Sequence, residues 1–428
     1  MSLSIPVEIA NRIIHPATYA DQKLLDDTFA WLRANQPLGI AEPEGFDPFW
    51  AVTKHADILE VSRQNDLFHN GDRQTTLTTK EIDAKVRAQT GGSPHLVRTL
   101  VQMDPPDHPK YRLLTQSWFM PANLKKREDA IRTIARRYVD RMAELGGECD
   151  FVNDVALYFP LQVVMEILGV PEADEPRMLK LTQELFGAQD PELNRTKQEM
   201  GGADANEALA NIQAVLMDFF MYFNAITLDR RANPKDDVAT VIANSKIDGE
   251  EIGGFEAMSY YVIVATAGHD TTSSSTGGGM WALCAFPEQF AKVKADPSLI
   301  GGLVDESIRW TTPVKHFMRS ATADTELAGR KIAKGDWLML CYPSGNRDEE
   351  VFENPYAFDV TRSPNKHLAF GYGAHLCLGQ HLAKMEMKIL WEELLPRLQS
   401  VAFAGDPKLT KANFVGGPKT LPIRYKMA

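Results

Sequence analysis

One cysteine constrains this chain more than any other residue. Cys377 closes a loop with two glycines, in Phe370-Gly371-Tyr-Gly373-Ala-His375-Leu-Cys377-Leu-Gly379, and an apolar-periodic segment follows it. That segment, with apolar residues at 378, 382, 385, 389 and 394, predicts a helix over 378–395. Free N–H groups at a helix N-terminus favour an anionic sulfur. The glycines permit positive φ and close backbone approach to a flat ligand. The pattern predicts a thiolate site. It is not a dinucleotide fingerprint, because Leu376 stands where the third glycine belongs. Cys149, Cys284 and Cys341 lie far apart with no CxxC pair. This argues against a zinc ribbon, a clustered iron–sulfur site and a disulfide framework.

Composition sets the outer bounds. The 428 residues carry 46 Lys+Arg and 57 Asp+Glu, a net charge of -11, and 44% are hydrophobic. Such a chain can build a core, which excludes a disordered protein, a collagen-like fibre and a nucleic-acid binder driven by overall positive charge. Length alone suggests two or three domains. The first twenty residues lack a secretory pattern. No stretch approaches the ~20 apolar residues of a membrane span; the best run is Tyr260 to Ala267. A cytoplasmic protein without membrane attachment is expected.

The texture is helix-rich with minor sheet. Leu24, Leu25, Phe29 and Leu32 predict a helix, and Gly39 to Thr53 predicts a hairpin around Pro43–Gly45. Residues 65–100 are polar and read as a functional loop or as partly helical. From 106 to about 285 the pattern is mostly helical, with Pro105-Pro106 at a helix start and Pro160 opening another that carries Leu161, Val164 and Leu168. Leu209 to Phe223 carries a further stripe, and the polar segment 187–206 before it reads as a mobile lid. A long central helix is expected from Ile252 to about Leu283, distorted near 267–271 by Gly268 and by Asp270 and Thr271. Its Gly277-Gly278-Gly279 costs helix stability and suggests close packing or a bend. After 320 short strands turn at Leu327–Gly329 and Ile332–Gly335, and 343–369 reads as coil.

The segment 370–379 matches F-x-x-G-x-H-x-C-x-G and resembles the haem-thiolate signature of the cytochrome P-450 superfamily. Three further segments resemble that family in the right order: Ala267-Gly268-His269-Asp270-Thr271-Thr272, Glu306-Ser-Ile-Arg309 and Phe358-Asp-Val-Thr-Arg362. The resemblance covers essentially the whole chain. Thr272 to Gly278 and Asn413 to Lys419 resemble the bacterial terpineol-oxidising branch. It implies a mainly α fold with minor β and a single domain over 1–428. Haem b would lie between the central helix and the Cys377 loop.

Residue by residue, the resemblance implies Cys377 as the iron ligand, with Phe370, Gly371 and Gly379 around it. His108, Arg112, Arg319 and His375 would meet the haem propionates. Asp270 and Thr271 would relay protons for O–O cleavage. Glu306, Arg309 and Arg362 would form a buried structural ion-pair network. Val264, Gly268, Val314, Phe317, Phe414 and Val415 would touch a compact hydrophobic substrate, a monoterpenoid or a small alkyl- or aryl-substituted ring. His269 has no assigned role beyond solvent relay.

No flavin or nicotinamide fingerprint occurs in the sequence, so electrons are expected from a [2Fe-2S] ferredoxin and its flavin-containing reductase, with O2 as co-substrate. Lys110, Arg112, Lys125, Lys126, Arg127, Arg132, Arg136 and Arg137, joined by Lys384 and Lys388, read either as a solvated helix face or as a docking patch for that ferredoxin. A monomer is expected. Two other readings stand beside a monooxygenase: a peroxide-driven peroxygenase, against which Asp270-Thr271 argues, and a non-catalytic haem sensor.

Overall fold

A computed structural model describes residues 3–194 and 205–428. Near the N-terminus, Asp21 caps the helix Gln22–Asn35 by accepting the Leu24 N–H at 3.0 Å. Leu25, Phe29 and Leu32 on its inner face pack with Ala41, Phe49, Ala51, Met318 and Met339. Those five come from a five-stranded sheet ordered Leu38–Ala41, Phe49–Val52, Trp337–Cys341, His316–Ala321 and Phe68–His69. All its pairings are antiparallel except Phe49–Val52 with Trp337–Cys341. The predicted hairpin over 39–53 supplies its first two strands.

The rest is a helical body around one core running from Leu100 to Tyr425. Its continuity replaces the two or three domains that length suggested. Pro160 lies in the first turn of Tyr158–Leu168, which ends at Gly169 with φ +81°. Residues 65–100 are partly helical, with a helix at Lys80–Gln89 capped by Thr79. The last helix, Gln380–Arg397, begins just past Gly379 and leaves Cys377 in the coil ahead of it.

The expected central helix comes in two pieces, Gly254–Ala267 and Asp270–Ala285, with Gly268 and His269 between them. The triple glycine answers close packing. A Cβ on Gly278 would lie 1.9 Å from Thr311 Oγ1, and one on Gly279 would lie 2.5 Å from Ser307 Oγ. Both neighbours belong to the helix Ile300–Thr311, which carries Glu306 and Arg309.

Two expectations need correction. The lid read over 187–206 falls partly outside the described residues. Its described beginning is held: buried Asp190 accepts Lys419 Nζ at 2.8 Å and the Lys411 N–H at 3.0 Å, and Gln189 accepts the Asn413 N–H at 2.8 Å. Also, one helix, Ala205–Ala232, is long and apolar enough by length and composition to cross a membrane. Its Leu209, Val215, Phe219 and Phe223 are buried, with Phe223 stacked 4.9 Å from Tyr261, while Met217, Phe220, Met221 and Leu228 are exposed.

Candidate functional site

The Cys377 loop is held by tight backbone geometry. Gly371 and Gly373 have φ +69° and +72°, and a Cβ on Gly373 would lie 2.1 Å from the Ser62 carbonyl oxygen. The Cys377 N–H donates to the Phe370 carbonyl at 2.9 Å. The Phe370 ring lies 5.6 Å from Lys384 Nζ. Arg112 Nη2 donates to the Leu376 carbonyl at 2.7 Å.

Burial works against the thiolate that the sequence predicts. Burial pushes Cys377 up, and the backbone N–H groups of Gly379 and Gln380, with Arg112, only partly offset this. The helix N-terminus alone does not make the thiolate. A coordinated metal ion does so outright.

Four cationic or imidazole side chains converge beside it. His108 and His375 have ring centroids 4.2 Å apart, and the Nε2 of each is buried without a hydrogen-bond partner. Burial, reinforced by Arg112, pushes His108 down to about 4. Burial, then Arg319, His108 and Arg112, pushes His375 far down. Burial also lowers Arg112 and Arg319. Among the described residues none of the four is in an ion pair, and Asp104 offsets only part of the burial at His108 and Arg319. A ligand bringing two carboxylates supplies the missing negative charge, and this donor set fits the propionates of haem.

Across the fold, the interrupted central helix places the acid–alcohol pair. Thr271 Oγ1 donates to the Ala267 carbonyl at 2.8 Å. Asp270 Oδ2 is buried without a hydrogen-bond partner. Behind Asp270 lies a cavity of about 240 Å³ lined by, among others, Asp270, Ser273, Ser274, Gln183, Lys419 and Val415. Val415 is nearly buried there and bridges Val314. Phe414 gathers an aromatic cluster, with Phe317 at 5.5 Å, His316 at 5.6 Å and Phe186 at 6.2 Å. Val264, Phe186, Phe317 and Phe414 are half-buried inside the fold. Gly268, expected at the substrate, also lies at a close helix contact. A Cβ there would lie 2.8 Å from Val164 Cγ2, so the missing side chain lets two helices approach.

The structural network is complete. Arg309 donates to Glu306 at 2.6 and 2.8 Å, Arg362 at 3.2 Å and Asn365 at 2.9 Å. Glu306 and Arg309 are fully buried.

The basic segment is largely spent within the molecule. Lys110 pairs with Asp248, Lys125 with Glu128, Arg127 with Asp236, Arg132 with Glu392 and Glu393, Arg136 with Glu393 and Arg137 with Glu172. Lys384 pairs with Asp305 and Lys388 with Glu392. Apart from the local pairs Lys125–Glu128 and Lys388–Glu392, the acids come from distant sequence, so the clustered charges overstate the patch.

Two buried titratable residues beside the central helix stood outside the sequence reading of the site. His269 is fully buried against Thr182, Leu157 and Asp270. Glu386, on the last helix, is buried with Oε2 unpartnered, and burial holds its carboxyl well above the usual range despite a bond from Thr272. A charged residue inside the apolar rhythm of 378–395 was the signal for the second.

Comparison with known proteins agrees with this geometry. The Cytochrome P450 family profile matches residues 76–421. Cytochrome P450-terp of a Pseudomonas species is 53% identical over 99% of both chains. The crystal structure of CYP108D1 from Novosphingobium aromaticivorans superposes with a TM-score of 0.90 at 47% identity, covering 99% of this chain and 100% of that one. Mycobacterium marinum CYP268A2, solved with pseudoionone, gives 0.86 at 33% identity over 96% and 97%. With a cysteine loop, a broken central helix and a carboxylate-seeking cluster already in place, these likenesses leave one conclusion: the chain belongs to the cytochrome P450 family of haem monooxygenases.

Proposed function

We propose that this monooxygenase inserts one atom of O2 into a C–H bond of a compact hydrophobic substrate, a monoterpenoid or a small alkyl- or aryl-substituted ring. The observation that carries the substrate class is the convergence of half-buried Phe186, Phe317 and Phe414 from three separate elements. Aromatic walls of this kind favour flat or compact apolar groups.

Cys377 would hold the haem iron, and His108, Arg112, Arg319 and His375 the propionates. Bound haem supplies the redox chemistry that activates O2. Thr271 and Asp270 hold and pass protons at Oγ1 and Oδ2. Glu306, Arg309 and Arg362 fix the coil that leads to Cys377. A [2Fe-2S] ferredoxin with its flavin-containing reductase supplies electrons in the cytoplasm to a monomer. With the basic segment mostly ion-paired, docking rests more on shape than on a free positive patch.

A screen for substrate-induced spin-state change tests the substrate class. Monoterpenoid alcohols and small alkylbenzenes are expected to shift the haem spectrum and to be hydroxylated. A response confined to long-chain fatty acids or steroids overturns it.

A further inference from the structure

His269 is fully buried, and its hydrogen bonds admit two complete arrangements. Nε2 lies 2.9 Å from the Leu157 carbonyl, which only accepts, so Nε2 carries a proton in both. Nδ1 lies 3.1 Å from Thr182 Oγ1 and 3.5 Å from Asp270 Oδ2. Thr182 Oγ1 also lies 3.0 Å from the Leu179 carbonyl. With the ring neutral, the Thr182 hydroxyl donates to Nδ1. With the ring protonated, Nδ1–H faces Thr182 Oγ1 and Asp270 Oδ2, while the hydroxyl turns to donate to Leu179. Neither state strands a donor. The second places a positive ring at ion-pair distance from Asp270 Oδ2, which has no hydrogen-bond partner of its own.

We infer that His269 is a positioning residue that stores a proton beside Asp270, with the Thr182 hydroxyl as its switch. This rests on the acid–alcohol relay proposed above. One proton moves from Nδ1 to Asp270 Oδ2, which returns the ring to neutral and swings the Thr182 hydroxyl back to Nδ1. Water in the cavity bordered by Asp270, Ser273 and Ser274 restores the proton to the pair. Of the neighbouring charged groups, Glu386 on the last helix accepts from Thr272, two residues past Asp270, and the others are paired. On the helix Glu175–Phe186, Lys180 and Glu184 face each other at 4.0 Å. On Tyr158–Leu168, Glu166 faces Arg127 at 3.6 Å. From the C-terminal turn, Lys419 is held by Asp190 and Glu192. Among the described residues, Asp270 carries the only charge in ion-pair contact with the ring.

The test uses the haem-loaded protein and two variants. Thr182→Val removes the hydroxyl that the neutral ring needs, so the proton is held more tightly. The pH midpoint of coupling, product formed per reducing equivalent, is expected to rise by about one unit. His269→Gln keeps a donor for Leu157 but cannot store a proton, and the pH step in coupling is expected to vanish. Independent of turnover, ¹⁵N shifts of labelled histidine in the ferrous carbonyl form should show the neutral ring protonated at Nε2, with a crossover that Thr182→Val moves upward. A neutral ring protonated at Nδ1, or a midpoint unmoved by Thr182→Val, overturns the inference. Asp270→Asn and Thr271→Ala separate the two claims. Normal coupling in both refutes the relay itself. Impaired coupling there, with an unmoved pH step in Thr182→Val and His269→Gln, refutes only the role of His269.

Discussion

Replacing Glu306 with Gln should detach the Cys377 loop from the body of the protein. The carboxylate receives two bonds from Arg309, at 2.6 and 2.8 Å, and others from Arg362 Nε at 3.2 Å, the Asp359 N–H at 3.0 Å and Asn365 Nδ2 at 2.9 Å. Gln removes the charge and turns an amide N–H₂ toward guanidinium donors. Arg309 stays fully buried, and its bonds to the carbonyls of Asn346, Pro355 and Ala357 do not cancel its charge. Removing one partner of a buried pair costs about 3–5 kcal/mol. Against a total of roughly 5–15 kcal/mol, that is a large share. Urea unfolding and haem retention on gel filtration read the loss, and the reduced carbon-monoxide spectrum reads the thiolate. The pH dependence has a definite sign. Burial would raise the Glu306 carboxyl, but the bonds from Arg309 and Arg362 outweigh it and hold it below the ordinary range. Its contribution is therefore present above the unfolded value of about 4.3 and fades as pH falls through the folded one. In Glu306→Gln that part of the acid sensitivity is absent. A variant within about 1 kcal/mol of the parent, with full haem content and the same acid limb, would refute the reasoning.

Gly302→Ala tests the same joint from the backbone. A Cβ there would lie 2.1 Å from the Val360 carbonyl oxygen, so the coil bearing Arg362 must move; a loss of about 1–3 kcal/mol in urea, rather than the gain expected for Ala in a helix, is predicted. Glu386→Gln should stabilise the protein at neutral and alkaline pH. Burial raises the folded carboxyl, so its contribution is full below the unfolded value and falls by about 1.4 kcal/mol per pH unit until the folded value is passed; unfolding midpoints of the variant should lack that slope. Thr271→Ala should keep haem and substrate binding while diverting electrons to peroxide, measured as peroxide formed per product; unchanged product yield per electron would remove Thr271 from the relay.

Much of the fold was legible because its signals are local. The apolar spacing of Leu25, Phe29 and Leu32, the turn at Gly45 and the proline at 160 each act within a turn or two of chain. The break in the central helix was also local, set by Gly268 and by side chains that compete for backbone groups. The charge pattern was not. Arg132 looks like part of a basic run, yet its partners Glu392 and Glu393 lie far along the chain. Likewise, nothing adjacent to Gly268 announces Val164, and nothing adjacent to His269 announces Thr182.

The residues around Cys377 are unsuited to one another and suited together to haem. Burial disfavours the charged forms of Cys377, His108, His375, Arg112 and Arg319 alike. Each shift alone would count as a defect of packing. An iron cation at the sulfur and two carboxylates at the four donors would offset their common cause, burial with too little opposite charge. A ligand that binds only the folded state stabilises it by mass action, so this site gains its rigidity when it is loaded. The same logic explains why the Glu306 carboxylate is saturated by Arg309, Arg362 and Asn365. They must hold the loop in place before the cofactor arrives, whereas the cluster beside Cys377 must stay unsatisfied until it does.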